Sequence, residues 1–311
     1  MVDRNASHNA KPLLISGSRT RIPALTAVKS TDRNARFAYK QNVCSPICPD
    51  WAFVTILIGL PEILAGAGLW ARERTEMSEE IKRPEATEPR WPRWDYKTVW
   101  TNLSDTLAQA KMVIAGSDDE ESFTKGGRLD ADFLRGKVGI NPTDTVLEIG
   151  CGVGRVGSHL APHCQLWIGC DVSPNMVKFA RERLMAVPNV ELVETPGYDL
   201  APIKSASADV VYCIVVFCHI DEWDRYRYVE EAFRVLRRGG RLCVNNVNLC
   251  SDAGWGVFET LRKIPPMQRP PYIGKCSTPA ELEEYLKRAG FGQIQASENR
   301  EFVWVWGTKP A

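Results

Sequence analysis

The sequence has few histidines, no pair of cysteines in C-x-x-C spacing and almost no net charge. Its 4 histidines and 10 cysteines are scattered through 311 residues, and the formal net charge is +1. Cys44 and Cys48 have no histidines nearby, so the spacing of a zinc site is missing and we predict no metal. Scattered cysteines without paired spacing are typical of proteins of the reducing cytosol, where thiols stay reduced. Basic residues form no stripe interleaved with aromatics, which argues against a nucleic-acid partner.

The N-terminal region, residues 1–90, has no sustained helical or strand period. Within it, residues 51–70 form an apolar run close to the roughly 20 residues that cross a bilayer. Pro61 and Glu62 interrupt this run, and a carboxylate at the centre of a membrane is costly. We therefore interpret residues 1–90 as a disordered or non-native extension, with Met77 as an alternative start of a cytoplasmic protein. The competing interpretation is membrane contact through residues 51–70.

The segment Val146–Arg155, VLEIGCGVGR, carries the clearest functional signal. Its apolar residues predict a short buried strand that ends at a glycine run. Gly150, Gly152 and Gly154 allow a tight turn and a close approach between backbone and ligand. A helix predicted from Arg155 to Leu160 would direct free backbone N–H groups at the same place. Strand, loop and helix together indicate a nucleotide-binding site.

Two families are compatible with this loop. Gly152, Gly154 and Gly157 match the G-x-G-x-x-G pattern of dinucleotide-binding domains, which would imply an NAD-dependent oxidoreductase. Glu148 is an acidic residue inside an apolar strand, where a carboxylate needs a partner. The pattern E-x-G-x-G-x-G that begins at Glu148 resembles motif I of class I S-adenosylmethionine-dependent methyltransferases. This resemblance implies that the glycines pass under the methionine part of the cofactor and that Glu148 helps to hold its ammonium group.

Two further segments resemble the same family. The next strand ends at Asp171, whose carboxylate can accept both ribose hydroxyls of either cofactor. The run DVSPNMVKFARERL then resembles the methyltransferase pattern D-x-S-x-x-M-x-x-x-A, which implies that Met176 packs on adenine. The alternative is that Met176 is an ordinary core residue. Later, EEAFRVLRRGGRLCV resembles the helix–Gly-Gly–strand passage of small-molecule methyltransferases, which nicotinamide dehydrogenases lack.

The chain departs from the family pattern after the third strand. Many members carry Gly-Asp there, whereas this chain has Thr195–Asp199. The contact to adenine is therefore left to Asp199, or to a backbone N–H of Gly197 or Tyr198. In the helix–Gly-Gly–strand passage, we expect Arg237–Gly240 to end the helix.

The order of elements predicts the fold. Strands that alternate with helices favour a parallel sheet with right-handed crossovers, and residues 292–296 and 301–307 predict a closing antiparallel hairpin. We predict an α/β, Rossmann-like fold with a seven-stranded, mostly parallel sheet, an antiparallel C-terminal hairpin and helices on both faces. A helical cap is expected over residues 91–139. A methyltransferase core is expected over residues 140–311, with an insertion at 249–276.

The resemblance implies S-adenosyl-L-methionine as cofactor and a set of residues that bind it. These candidates are Glu148, Gly150, Cys151, Gly152, Gly154, Arg155, Asp171, Val172, Met176, Tyr198, Asp199 and Cys213.

His219 is the candidate general base. It follows the fourth predicted strand, ligands in open α/β sheets sit beyond the carboxyl ends of the strands, and histidine titrates near neutrality. The alternative is that His219 orients the cofactor loop or caps the next helix. A long loop is expected within the insertion, where it would select the acceptor.

The sequence therefore predicts an S-adenosylmethionine-dependent methyltransferase that acts on an oxygen or nitrogen of a small molecule. A non-catalytic module that binds the cofactor is one alternative. An NAD-dependent oxidoreductase is the other, although we find no Tyr-x-x-x-Lys site for hydride transfer.

Overall fold

The computed structural model describes residues 95–311, in which helices cover a single mixed sheet. The predictions for residues 1–90, including the apolar run 51–70 and the start at Met77, lie outside the described residues. Across residues 95–311, no helix combines the length and the hydropathy that crossing a bilayer requires.

The sheet has eight strands. They are β1 (Thr145–Ile149), β2 (Leu166–Asp171), β3 (Val190–Glu194), β4 (Ala208–Cys213), β5 (Leu236–Asn248), β6 (Cys276–Ser277), β7 (Gly292–Asn299) and β8 (Phe302–Thr308). The main order is β3-β2-β1-β4-β5-β8-β7, and β6 pairs with the end of β5. Strand β8 runs antiparallel to both β5 and β7, while β1 to β5 pair in parallel. The Rossmann-like fold is thus confirmed, but with eight strands rather than seven, because a two-residue strand has no sequence period that could reveal it.

Eight α-helices lie among the described residues. They are α1 (Tyr96–Asn102), α2 (Leu107–Ala115), α3 (Glu120–Phe133), α4 (Gly157–Leu160), α5 (Pro174–Arg183), α6 (Glu222–Val235), α7 (Asp252–Arg262) and α8 (Pro279–Ala289). Local sequence signals explain several of their ends. Thr278 accepts a hydrogen bond from the Glu281 backbone N–H at the start of α8, and Gly290, with φ of 100°, follows its last residue.

Two predicted helix boundaries are wrong. Helix α6 ends at Val235, and Arg237–Gly240 belongs to β5 rather than to a helix end. The extension of β5 arises from the C-terminal segment, because Gly239 N donates to Lys309 O and Lys309 N donates to Gly240 O. Helix α4 begins at Gly157, two residues later than expected.

The insertion at 249–276 contains a helix rather than only a loop. Ser251 caps α7 by accepting a hydrogen bond from Gly254 N. A Cβ at Gly254 would lie 1.9 Å from Asn248 O, so glycine allows the helix to pack tightly on the end of β5. Val257 and Leu261 bury the inner face of α7. Gly254, which this packing requires, and Gly256 weaken the helical signal in the sequence.

Candidate functional site

A cavity of about 880 Å³, measured together with its open mouth, lies at the carboxyl ends of β1, β2 and β4. This is the position in which open α/β sheets bind ligands, and the volume suits a small molecule. The cavity is lined by Tyr96, Trp100, Val113, Ile114, Glu148, Ile149, Gly150, Cys151, Gly152, Arg155, Val156, Asp171, Val172, Met176, Thr195, Gly197, Ile214, Val215, Val216, His219, Ile220 and Tyr228.

Most of the residues predicted from the sequence meet at this cavity. Those on its wall are Glu148, Gly150, Cys151, Gly152, Arg155, Asp171, Val172, Met176 and His219. Four others do not line it, namely Gly154, Tyr198, Asp199 and Cys213.

Each of these four residues has a different environment. Gly154 has a φ of 77°, and a Cβ there would face Leu184 rather than the cavity. Tyr198 is exposed to solvent, and Asp199 accepts a hydrogen bond from the backbone N–H of Ala201. Cys213 is completely buried in the core. Gly154 therefore supports the loop on the side away from the cavity. The wall after β3 is formed by Thr195 and by Gly197, whose backbone N–H was one of the candidates for the contact to adenine.

The backbone N–H groups of the glycine loop are not free. Gly150 N and Cys151 N both donate to Cys170 O, at 2.8 and 2.9 Å. Gly152 N donates to Asp171 Oδ2 at 2.9 Å. These three N–H groups are therefore engaged within the protein. The prediction of free N–H groups concerned the start of the helix that follows the loop, and it stays a prediction.

Gly157, the last glycine of the G-x-G-x-x-G match, has a packing role. A Cβ on Gly157 would lie 2.3 Å from the indole ring of Trp167. Trp167 is fully buried on β2, so its ring occupies the space that a side chain at position 157 would need. The pattern match is thus explained by contact between α4 and the sheet.

Glu148 is a buried acid on the wall of the cavity. Its Oε2 accepts a hydrogen bond of 2.5 Å from the Tyr212 hydroxyl, so the partner expected for a buried carboxylate is a tyrosine on the neighbouring strand. Burial raises the pKa of Glu148 to about 8, and the bond from Tyr212 opposes this rise.

Asp171 is the second buried carboxylate on the wall. Its Oδ1 accepts from Ser173 N and its Oδ2 from Gly152 N, both at 2.9 Å. Burial raises its pKa to about 6, while these backbone donors favour the ionised form. A carboxylate has about four lone-pair sites, so both oxygens can each accept one more hydrogen bond from a ligand.

The position of Met176 is compatible with both of its predicted roles, packing on adenine and packing in the core. It is almost fully buried and packs with Ala110, Phe123 and Val153, as a core residue does. It also lines the cavity beside Val172. Together these side chains give the cavity an apolar wall next to Asp171.

His219 lies in a 3₁₀ turn, Phe217–His219, and lines the cavity. Its Nδ1 is 2.8 Å from the backbone carbonyl oxygen of Tyr272 in the insertion. A carbonyl only accepts, so Nδ1 carries the proton and Nε2 of the neutral ring is free to accept one. Burial lowers the pKa of His219 to about 4, although the Tyr272 carbonyl acts in the opposite direction. The ring is therefore neutral at physiological pH.

Helix α1, within the helical cap predicted over residues 91–139, supplies aromatic residues to the cavity wall. Trp100 of α1 packs edge-on against His219 with ring centroids 4.9 Å apart. Tyr96 of the same helix also lines the cavity, and its hydroxyl donates to Asp224 at 2.9 Å. The cluster of aromatics is visible in the sequence, but the face that each ring presents depends on how α1 packs.

Val215 shapes the wall between β4 and His219. It has a φ of 57°, which is strained for a β-branched residue. Its N–H donates to Oδ1 of buried Asn245 at 2.8 Å, which supports this conformation. No local sequence signal marks this turn, because the supporting residue lies on β5.

Comparisons with known proteins agree with this geometry. Residues 147–244 match the family model of a methyltransferase domain. A thiol S-methyltransferase of Homo sapiens is 30% identical over 167 residues, which cover 52% of this chain and 66% of that protein. An arsenite methyltransferase of Halobacterium salinarum is 27% identical over 176 residues, covering 53% and 42%.

A solved structure gives the same fold. The structure of an O-methyltransferase family protein from Burkholderia thailandensis matches with a TM-score of 0.53 at 15% identity, covering 65% of this chain and 60% of that one. The chain spans 66% and 42% of the lengths of the two curated relatives described above.

Proposed function

We propose that this chain, which belongs to the class I S-adenosylmethionine-dependent methyltransferases, transfers a methyl group to an oxygen or nitrogen of a small molecule. The observation that carries the proposal is one cavity lined by two buried carboxylates, Glu148 and Asp171, here called its carboxylate end, and by the buried neutral His219, here called its histidine end.

The carboxylate end fits S-adenosylmethionine chemically. Glu148 offers a carboxyl group for an ammonium, and Asp171 offers two acceptor oxygens for a pair of ribose hydroxyls. Met176 and Val172 offer an apolar surface for adenine. When bound, the cofactor supplies an activated methyl group on a positively charged sulfur.

The protein's main task would be to hold the acceptor in line with that methyl group. Positioning of this kind can contribute roughly 7–11 kcal/mol. Trp100 and Ile220 would exclude water around the acceptor, and Nε2 of His219 would receive its proton. General-base assistance adds roughly 10²- to 10⁴-fold when the nucleophile must lose a proton.

The low basicity of His219 restricts the acceptor. A base whose pKa is about 4 lies about 6 units below a phenol, whose ordinary pKa is about 10. The gap to a group as weakly acidic as water, pKa about 15.7, is twice as large. Phenolic oxygens and weakly basic aromatic nitrogens are therefore favoured over aliphatic alcohols.

Sulfur is the second candidate acceptor atom. A thiol has an ordinary pKa of about 8.5, so a weak base suffices for it. The Homo sapiens relative at 30% identity is named a thiol S-methyltransferase. This name supports a sulfur acceptor for this chain if the acceptor site lies within the 167 residues that the two proteins share.

One experiment separates these possibilities. The full chain is first titrated calorimetrically with S-adenosylmethionine, S-adenosylhomocysteine and NAD. It is then assayed with phenol, aniline, thiophenol and cyclohexanol, which share a six-membered ring and differ at the nucleophile. We expect binding of both adenosyl ligands but not NAD, and methylation of phenol or aniline with cyclohexanol inert.

Other outcomes would contradict parts of the proposal. Methylation of thiophenol alone would replace the oxygen or nitrogen acceptor by sulfur. Binding without turnover on any acceptor in this and a wider panel would favour the non-catalytic module. Binding of NAD would contradict the family-based function.

A further inference from the structure

Three buried side chains on neighbouring strands form a hydrogen-bonded chain that ends at Glu148. Trp167 Nε1 donates to the Tyr212 hydroxyl at 2.9 Å, and that hydroxyl donates to Glu148 Oε2 at 2.5 Å. Glu148 on β1 and Tyr212 on β4 are direct register partners, so their side chains leave the same face of the sheet. Because Trp167 occupies the acceptor capacity of the tyrosine oxygen, the Tyr212 proton points at Glu148.

This arrangement fixes one carboxyl oxygen and leaves the other for a ligand. Among residues 95–311, Tyr212 is the one side chain that hydrogen-bonds Glu148. Tyr212 and Trp167 are both fully buried, so neither can turn away without disturbing the packed core. The orientation of Glu148 at the cavity wall is therefore fixed by Tyr212 and Trp167, which lie on the neighbouring strands of the sheet.

We propose that Tyr212 is the positioning residue that orients Glu148 toward the ammonium group of the cofactor, and that binding of this group releases a proton from Glu148. The inference rests on the proposed function, since it assumes that the cavity binds S-adenosylmethionine. In the step, the O–H bond of the Glu148 carboxyl breaks, its proton passes to the buffer, and a carboxylate–ammonium ion pair forms. The ligand keeps its own charge.

The charged groups around Glu148 explain why it holds a proton before the ligand binds. Arg155 is the nearest cation on the cavity wall, but its guanidinium is paired with Asp130 of α3 at 2.6 Å. Asp171 at the end of β2 carries like charge, and Cys151 in the glycine loop stays a neutral thiol because burial raises its pKa. No unpaired cation thus offsets the burial of the Glu148 carboxylate within the described chain.

The number of protons released follows from this environment. With a pKa of about 8 in the free protein, Glu148 is about nine-tenths protonated at pH 7 and half protonated at pH 8. Its carboxyl is ionised when an ammonium binds beside it, so about 0.9 proton is released at pH 7, where the ammonium of the ligand is still charged. The ligand's affinity then rises with pH until its own ammonium begins to lose a proton.

Two ligands isolate this effect. S-adenosylhomocysteine carries the ammonium group, whereas 5′-methylthioadenosine has the same nucleoside without the amino-acid part. Calorimetry of the full chain in buffers of different ionisation enthalpy counts the protons released by each. We expect S-adenosylhomocysteine to release about 0.9 proton more than methylthioadenosine at pH 7. Both ligands contain the ribose beside Asp171, so any proton that Asp171 releases is counted equally for both and cancels in the difference.

Variants test the two residues separately. Glu148→Gln should abolish the difference in proton count. Tyr212→Phe keeps the ring but removes the hydroxyl, so the pKa of Glu148 should rise further. Affinity for S-adenosylhomocysteine should then fall about tenfold at pH 7, and the midpoint of its pH dependence should move upward by about one unit. Affinity for methylthioadenosine should change less than twofold, which shows that the fold is intact.

The control is Tyr226→Phe, which removes a hydroxyl from α6 outside the cavity and should leave the midpoint unchanged. Equal proton counts for the two ligands, or an unchanged midpoint in Tyr212→Phe, would overturn the inference while the proposed function stands. Failure of the wild-type protein to bind S-adenosylhomocysteine at all would overturn both.

Discussion

The two ends of the cavity are built in different ways. The carboxylate end comes from the turns that follow two adjacent strands, β1 and β2. Gly150 and Cys151 are tied by their N–H groups to Cys170 O, and Asp171 is held by backbone donors. The histidine end joins distant parts of the chain, since His219 contacts Trp100 of α1 and the Tyr272 carbonyl 53 residues away.

Because the two ends are built differently, we expect them to control different properties of the enzyme. Backbone hydrogen bonds between adjacent strands fix the carboxylate end, so its geometry follows from the sheet itself. The histidine end depends on how α1 and the insertion dock, and small changes in their packing will move the ring. Variants at the carboxylate end should therefore change cofactor affinity, and variants at the histidine end should change turnover or acceptor use.

The largest expected effect is loss of the base. His219→Ala should lower turnover by about 100-fold or more, within the range for general-base catalysis, and should leave affinity for S-adenosylhomocysteine within about twofold. Because burial lowers the pKa of His219 to about 4, the neutral base is present at every pH above that value. Turnover limited by this group should thus fall only near pH 4, rather than near 6.5.

The control for this variant is His163→Ala, which changes a histidine outside the cavity. Equal turnover in His219→Ala and wild type across the acceptor panel would reject the base role. The histidine end would then select the acceptor by shape alone.

The next effect should appear at the other end. Asp171→Ala removes the acceptor of two backbone N–H groups and of the ribose hydroxyls, so affinity for S-adenosylhomocysteine should fall by more than about tenfold. Turnover at saturating cofactor should change much less. Asp144→Ala provides a matched control, because Asp144 is a buried carboxylate that accepts a backbone N–H but does not line the cavity. Calorimetry that finds wild-type affinity in Asp171→Ala would contradict the assignment of the carboxylate end.

The same contrast explains what the sequence could predict. The strand, the glycine loop and the acid after β2 are local patterns, and the residues that they single out, Glu148, Gly150, Gly152 and Asp171, all line one cavity. The need for a partner to Glu148 was also evident from the cost of burying a carboxylate. The identity of that partner was not, because Tyr212 reaches Glu148 only through the register of β1 and β4.

The other candidates lie where tertiary packing decides the environment of a residue. Of the three residues offered for the contact to adenine, Gly197 lines the cavity, whereas Tyr198 and Asp199 do not. Cys213 follows the alternation of β4 into the core. Helix α7 was missed because two glycines weaken its helical signal, of which Gly254 is required by close packing on β5.

A smaller effect should mark the acceptor side of the histidine end. Trp100→Leu keeps an apolar side chain but removes the ring that packs edge-on against His219. Contacts of this kind contribute about 0.5–1.5 kcal/mol, so KM for an aromatic acceptor should rise about fivefold with cofactor affinity unchanged. Trp255→Leu in α7 is the control, since Trp255 is exposed outside the cavity. Equal KM values in both variants would place the acceptor elsewhere.

The smallest effect tests whether the histidine end depends on long-range support. Arg225 of α6 is buried, and its Nε donates to Phe217 O in the turn that carries His219. Its Nη1 donates to Ser277 Oγ and Glu281 Oε1, both at 2.9 Å. Lysine cannot reproduce this planar set of donors, so Arg225→Lys should lower turnover about threefold through the position of His219.

Arg234→Lys supplies the matched control for Arg225→Lys. Arg234 lies on the same helix and holds Glu231 and the Leu200 carbonyl through a similar set of bonds, away from the cavity. Both substitutions should lower the melting temperature, but only Arg225→Lys should reduce turnover while cofactor affinity stays constant. If the two variants lost turnover equally, support from α6 would act on stability alone, and the histidine end would be as self-contained as the carboxylate end.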